Sequence, residues 1–411
     1  RGDQSVVKGY GRLYLDNPTR PDGRTVFETG SVTKTFTGLL LAHAVVDGRL
    51  RLDQPVNELL PADVRFREHA DGPIRLEHLA THVSGLPRLP DNLRPSDDRN
   101  PYADYDTDKL YAFLSGYQVQ RGPQVESEYS NLAFGLLGEL LGSQANATYS
   151  ELVHSAIAEP LQMSSTAVAA STDSQARLAT PYNVDLIEDQ PWDFQALAGA
   201  GGVRSTAEDL LRYAKAYLHP PEGKLGEAIE LAWEVRQPPL QPQDFAMGLG
   251  WHIARDGETR WHNGQTGGHH CMLLINRKRD AAVVVLANTA TMEVDGLAEQ
   301  LLRAVCGSPE QPRKFPRTVE ISNEQLQRLV GRYQLTPTFI LDVKIEGDRL
   351  MVGATGQPYF RVYPESVSEW RYRVVEAALS FEIEESGPAT AVVLHQNGVD
   401  QRAQRMDDSD R

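Results

Sequence analysis

The feature that most constrains this chain is a change of rhythm near residue 308. From Leu39 to about Val305, apolar segments at helical spacing alternate with short strand-like runs between Gly and Pro breaks, the pattern of a mixed α/β domain. Pro309 to Thr318, with Pro312 and Pro316 set among charges, reads as a linker. Beyond it the spacing becomes two. Phe339–Ile345, Arg349–Val352, Trp370–Val375 and Ala391–Leu394 alternate at hairpin distances, with turns such as Glu346-Gly347-Asp348. The expected architecture is one large unit over 1–308, a linker over 309–318 and a small antiparallel β-barrel over 319–411. The 411 residues suit this division, at roughly 150 residues per domain.

Composition removes several classes of function. Apolar residues at 40% and charged residues at 24% are ordinary for a folded chain. The 41 Lys and Arg stand against 56 Asp and Glu, a net charge of −15 that repels nucleic-acid phosphates and anionic lipid. The longest apolar runs, such as Ala281–Leu286, fall far short of the about 20 residues of a spanning helix and read as buried strands. Cys271 and Cys306 lie in no Cys-x-x-Cys spacing and read as two separate buried thiols. Gln4–Gly11 reads as a strand at the start of the chain with no signal peptide at Arg1, which suggests residues preceding it.

Three short motifs carry chemistry. In Thr29-Gly30-Ser31-Val32-Thr33-Lys34, followed by apolar Leu39–Val46 and stopped at Asp47-Gly48, the expected helix puts Ser31 in its first turn and Lys34 on the same face. A serine hydroxyl is a weak nucleophile until a neighbour takes its proton. A lysine does this only if burial or another cation keeps it neutral. Glu128-Tyr129-Ser130-Asn131 enters a second apolar helix, where Tyr129 is placed to relay protons and Asn131 to hold an amide carbonyl, against the plainer reading of a packed Tyr and an Asn cap. Trp261-His262-Asn263-Gly264-Gln265 precedes the strand-like Cys271–Ile275; Gly264 permits close backbone approach, and a following N–H can face an oxyanion.

Each motif alone is weak, but their order is specific. Ser-x-x-Lys, then Tyr-x-Asn, then His-x-Gly resembles the serine penicillin-recognising hydrolases: class C β-lactamases, DD-carboxypeptidases, D-aminopeptidases and related esterases. Gly48–Val56, Leu79–Pro87, Asn100–Tyr105 and Gly201–Leu210 resemble the same family. The resemblance implies an antiparallel sheet flanked by helices, an all-helical region and an appended lipocalin-like barrel. It implies an acyl-enzyme on Ser31, base duties shared by Lys34 and Tyr129, an oxyanion hole from the Ser31 and Gln265 N–H groups, and a catalytic part for His262. Asn131, Asn263, Gly264 and Gln265 would bind substrate. No cofactor or metal is implied. The implied substrates are D-alanyl peptides, β-lactams or esters, in the periplasm or outside the cell. His262 stands where β-lactamases of this kind usually carry lysine, which favours the peptidase or esterase branch.

Other constellations compete. A non-catalytic binder of cell-wall fragments or lactams would keep the fold without the turnover. His78 and His82 lie four apart beside Glu77, yet not as His-Glu-x-x-His, and His269-His270 would point to opposite faces of a strand in ordinary packing and exposure. No Gly-x-Ser-x-Gly elbow appears, against an α/β-hydrolase fold. The sequence leaves oligomeric state open.

Overall fold

A computed structural model describes residues 1–168, 176–308, 311–312, 318–375, 377–384, 387–396 and 398–406. The chain forms two compact units, Arg1–Glu310 and Gln311–Arg411. The stretch expected as a linker lies largely outside the described residues.

In the larger unit, the first strand, β1 (Val26–Glu28), leads through a 3-10 turn at Gly30–Val32 into α1 (Thr33–Val46). This helix is apolar around nearly its whole circumference, and Phe36, Leu39 and Leu41 are fully buried, so it runs through the core rather than over it. Gly48, with φ +72°, ends it as expected. Thr29 is no side-chain cap, because its hydroxyl donates to Val203 O instead. The helical region follows as α2 (Leu76–Ala80), α3 (Thr107–Gly116), α4 (Asn131–Ala145) and α5 (Tyr149–Val153). A short α6 (Ala198–Gly201) precedes β2 (Arg204–Thr206), which pairs antiparallel with β1, and then come α7 (Ala207–Leu218) and α8 (Lys224–Trp233).

Five antiparallel strands in sequence order make the main sheet: β3 (Ala246–Met247), β4 (His252–Ile253), β5 (Thr259–Gln265), β6 (His270–Asn276) and β7 (Ala281–Ala287). All seven residues of β6 are buried. Cys271, Leu273 and Ile275 join the core around α1, while Met272 and Leu274 face α9 (Glu293–Val305) across a second core. A strand covered on both faces needs the unbroken apolar run seen in its sequence. At the sheet edge β7 is only partly covered, with Ala281 and Val283 buried, which corrects the expectation of a buried strand there. Both cysteines are free, and Cys306 is half-buried rather than buried. Gln4–Gly11 forms no strand: no strand pairs with it among the described residues, and Val6 and Tyr10 are each 75% exposed.

In the smaller unit, α10 (Asn323–Leu329) opens on a Ser322/Gln325 capping box. Eight antiparallel strands then close a barrel: β8 (Gly331–Thr336), β9 (Phe339–Glu346), β10 (Arg349–Ala354), β11 (Tyr359–Pro364), β12 (Glu369–Tyr372), β13 (Ala377–Ile383), β14 (Ala389–Gln396) and β15 (Val399–Arg405). Closure leaves no unpaired edge. Arg349 pairs with Glu346 across a two-residue turn in which Gly347 takes φ +66°. Tyr333, Leu341, Val352, Trp370, Leu379 and Phe381 pack the barrel's core together with Leu326 and Leu329 of α10.

Candidate active site

The 3-10 turn before α1 lifts Ser31 into a cleft between the helical region and β5. Two glycines make this approach: a Cβ on Gly30 would sit 2.6 Å from the Gln265 nitrogen, and one on Gly264 would sit 2.6 Å from the Ser31 nitrogen. Gly30 also takes φ +49°, a conformation open to glycine. The backbones at Ser31 and Gln265 are thereby brought close together.

Lys34 is fully buried, and its Nζ lies 2.9 Å from Ser31 Oγ, 2.8 Å from Asn131 Oδ1 and 2.7 Å from Ala200 O. Burial pushes the amine well below the usual lysine range, and the nearby Arg88 guanidinium pushes it further. A neutral amine has two hydrogens and one lone pair. Asn131 Oδ1 and Ala200 O can only accept, so they take the two N–H groups and leave the lone pair for the Ser31 O–H. The lysine is thus arranged as a proton acceptor for the serine.

Ser130 caps α4 by accepting from the Ala133 N–H, which frees Asn131 from the capping duty that its position suggested. With Asn131 Oδ1 on Lys34, its Nδ2 group meets the Tyr102 hydroxyl and keeps a second hydrogen that can donate to an incoming carbonyl. The Tyr129 hydroxyl lies against Ser31, and burial holds it far above the ordinary tyrosine range. Burial thus favours the phenol over the tyrosinate at Tyr129.

His262 is fully buried, with Nδ1 2.6 Å from the carbonyl of Asn263. Burial first, then the nearby His252 and Lys34, lowers it well below the usual histidine range, so it is neutral. No hydrogen bond joins it to Ser31 among the described residues. Asn263 points away from the cleft: its Nδ2 donates to Asp295 of α9 at 2.7 Å, on the opposite face of β5 from His262. Its expected substrate contact is not made by the side chain. Gln265 is exposed, and its Oε1 lies 3.0 Å from His270 Nδ1, whose other nitrogen meets Asp295 at 2.7 Å.

Sequence reasoning paired His78 with His82, but the structure separates them. His78 accepts from the Arg75 N–H at the start of α2, whereas His82, at φ +60°, turns into the cleft. There it meets His252 and His262, with one ring nitrogen from each within 4.8 Å of the others. Three lone pairs in that spacing would suit a metal ion. The hydrogen bonds argue otherwise: His82 Nδ1 accepts from the Ser130 N–H, so its neutral ring carries the proton on Nε2, while His262 Nδ1 donates to a carbonyl and leaves a lone pair on Nε2. The trio therefore offers a mixture of donor and acceptor.

Behind the serine, Glu28 ties β1 to the turn after β5. Its carboxylate accepts from the Trp192 N–H at 2.6 Å, the Thr266 hydroxyl at 2.8 Å and His269 Nδ1 at 3.0 Å, with Arg204 at 3.5 Å. Burial alone would raise this carboxyl, but His269, Arg204 and Thr266 together bring it below the usual range. His269 and His270 are both buried, since both faces of the sheet are covered, which corrects the expected exposure of one of them. Glu28, His252 and Arg88 were not singled out from sequence. Glu28 could have been, because it lies three residues before Ser31 in the same motif.

The profile of the β-lactamase family matches residues 1–305. The D-alanyl-D-alanine-carboxypeptidase/endopeptidase AmpH of Escherichia coli (strain K12) is 31% identical over 223 residues, 53% of this chain and 55% of that protein. A β-lactamase of Yersinia enterocolitica is 32% identical over 239 residues, 56% of each chain. The chain thus spans just over half the length of these curated relatives. Among solved structures, a β-lactamase/D-alanine carboxypeptidase from Yersinia pestis covers 74% of this chain and 89% of its own at 24% identity, with a TM-score of 0.64. An octameric penicillin-binding protein homologue from Pyrococcus abyssi covers 97% of this chain and 92% of its own at 22% identity, with a TM-score of 0.62. At these identities the two structures speak for the fold alone. With the family profile matched across the whole span that holds the three motifs, the chain belongs to the β-lactamase family.

Proposed function

We propose that this protein cleaves D-alanyl peptide bonds through an acyl-Ser31 intermediate and takes β-lactams as mimics of that substrate. The observation that carries the reading is the fully buried Lys34, held well below the usual lysine range, with its Nζ within hydrogen-bond reach of Ser31 Oγ, Asn131 Oδ1 and Ala200 O. As Ser31 Oγ attacks the carbonyl, its proton passes to Lys34 Nζ. The oxygen gains negative charge between the N–H groups of Ser31 and Gln265, where preorganised donors stabilise it most. Asn131 Nδ2 holds the carbonyl of the acyl side chain. Tyr129 gives its proton to the departing amine, and the C–N bond breaks to leave the ester. The proton on Lys34 then passes to the tyrosinate, which resets both groups; water attacks the ester, and Lys34 takes the water's proton and returns it to Ser31 Oγ as the acyl group leaves as the acid. The relatives named for D-alanine carboxypeptidase activity support this substrate class and, with it, a reaction in the periplasm or outside the cell.

A second reading, a carboxylesterase, rests on His262. Its neutral ring supplies no cation for a carboxylate on the leaving side, which suits an uncharged ester. Release of D-alanine from a peptide ending in D-alanyl-D-alanine, measured beside hydrolysis of a short-chain activated ester, separates the two. Ser31-dependent release of D-alanine is expected; ester turnover without it would overturn the peptidase reading.

A further inference from the structure

Arg88 is a cation at the site that meets no carboxylate among the described residues. Its side chain is exposed and stands over the Tyr129 ring, with Cζ 5.1 Å from the centroid. Among the described residues it makes no ion pair and no hydrogen bond through its guanidinium. Some arginines of the same unit are paired, such as Arg99 with Asp189, Arg121 with Glu126 and Glu128, and Arg204 with Glu28 and Asp193. What sets Arg88 apart is its place over Tyr129 and near Lys34 in a chain with 15 more acidic than basic residues.

Its position is held from behind. The carbonyl of Arg88 accepts from the N–H groups of Asn131, at 3.0 Å, and Leu132, at 3.2 Å, and the preceding Pro87 carbonyl accepts from the Ser130 hydroxyl at 2.7 Å. Arg88 is therefore anchored to the start of α4, on the Asn131 side of Ser31 and across the cleft from β5 and Gln265. A substrate whose acyl part lies along Asn131 passes under this guanidinium. A planar fork of five donors without an acceptor suits a carboxylate. His262, neutral on the β5 side, offers no competing charge.

We infer that Arg88 selects acyl donors that carry a carboxylate on their acyl side, so that the preferred substrate is an acidic peptide. This rests on the acyl-enzyme reading above for its chemistry, though not for binding. An arginine that only helped to keep Lys34 neutral would slow every acyl donor alike.

The test compares benzylpenicillin with its α-carboxylated analogue, carboxybenzylpenicillin. Acylation rates are measured on the wild type, Arg88→Ala and Arg88→Lys, and dissociation constants on Ser31→Ala with and without Arg88→Ala. Taking the ratio between the two compounds cancels any effect of Arg88 on the base. Arg88→Ala is expected to lower the preference for the carboxylated compound about tenfold, the size of one charge-assisted hydrogen bond, with part restored in Arg88→Lys. A preference unchanged by Arg88→Ala in both acylation and binding would overturn the inference. If neither compound acylates the wild type while binding to Ser31→Ala still discriminates through Arg88, the acyl-enzyme reading fails and the recognition stands.

Discussion

The cleft of the larger unit and the barrel of the smaller one are built under opposite rules. In the barrel, period-two alternation sends Leu341, Val343, Leu350, Val352 and Leu379 inward, and the buried Tyr333 hydroxyl is satisfied by the Leu329 carbonyl at 2.7 Å. In the cleft, a lysine is fully buried, His82 sits at positive φ, and His82 Nε2 and His262 Nε2 have no hydrogen-bond partner among the described residues. Apolar burial stabilises the first region. The second keeps buried polar groups that cost stability, and such departures gather where a protein does chemistry.

Substitutions in the two regions should therefore separate activity from stability. The largest effect belongs to Ser31→Ala, which should lower turnover by at least about 10⁴-fold with little change in melting temperature, as when other serine nucleophiles are removed. A thermally stable variant retaining more than a tenth of the activity would break the comparison at its centre. Next comes Lys34→Met, expected to lower acylation about 10³-fold, within the range of a lost general base, while leaving the protein as stable or more so. In the unfolded chain Lys34 binds its proton below about its ordinary 10.5, but in the folded chain only far lower. Between those values the unfolded state holds more protons, so the stability of the wild type climbs with pH. The gain in Lys34→Met should accordingly widen as pH falls, which thermal melts at several pH values would show.

The barrel should behave in reverse. Leu379→Ala removes a fully buried side chain and should cost about 2–5 kcal/mol in unfolding of the smaller unit, with acylation by penicillin unchanged. Loss of acylation at full stability would contradict the separation. The smallest effect is electrostatic: Arg88 lowers the pKa of Lys34, so Arg88→Ala should move the acid limb of the acylation profile to higher pH. A shift to lower pH would remove Arg88 from the account of Lys34.

What the sequence disclosed follows the same division. Ser31, Lys34, Tyr129 and Asn131 were legible because a helix start fixes the spacing between its side chains, and the two helix starts bring these residues together. The barrel strands β9, β10, β12 and β14 were legible from alternation, but β15 was not: only Ala403 of Val399–Arg405 is buried, so the strand is recruited by pairing with β14 and β8 rather than by its own pattern. The polar network was hidden for another reason. Glu28 and His269 meet across 241 residues, and His82, His252 and His262 come from a loop and two strands, so no local rhythm marks them. Asn263 was misplaced because alternation along β5 gives His262 and its neighbour opposite faces.

The most direct test of the central claim is intact-protein mass spectrometry after mixing with a penicillin, followed by peptide mapping, with Ser31→Ala as control. The account predicts an adduct of one penicillin mass on the peptide containing Ser31, or Ser31-dependent lactam turnover when the ester is released quickly. Neither adduct nor turnover, or an adduct that persists in Ser31→Ala, would contradict it.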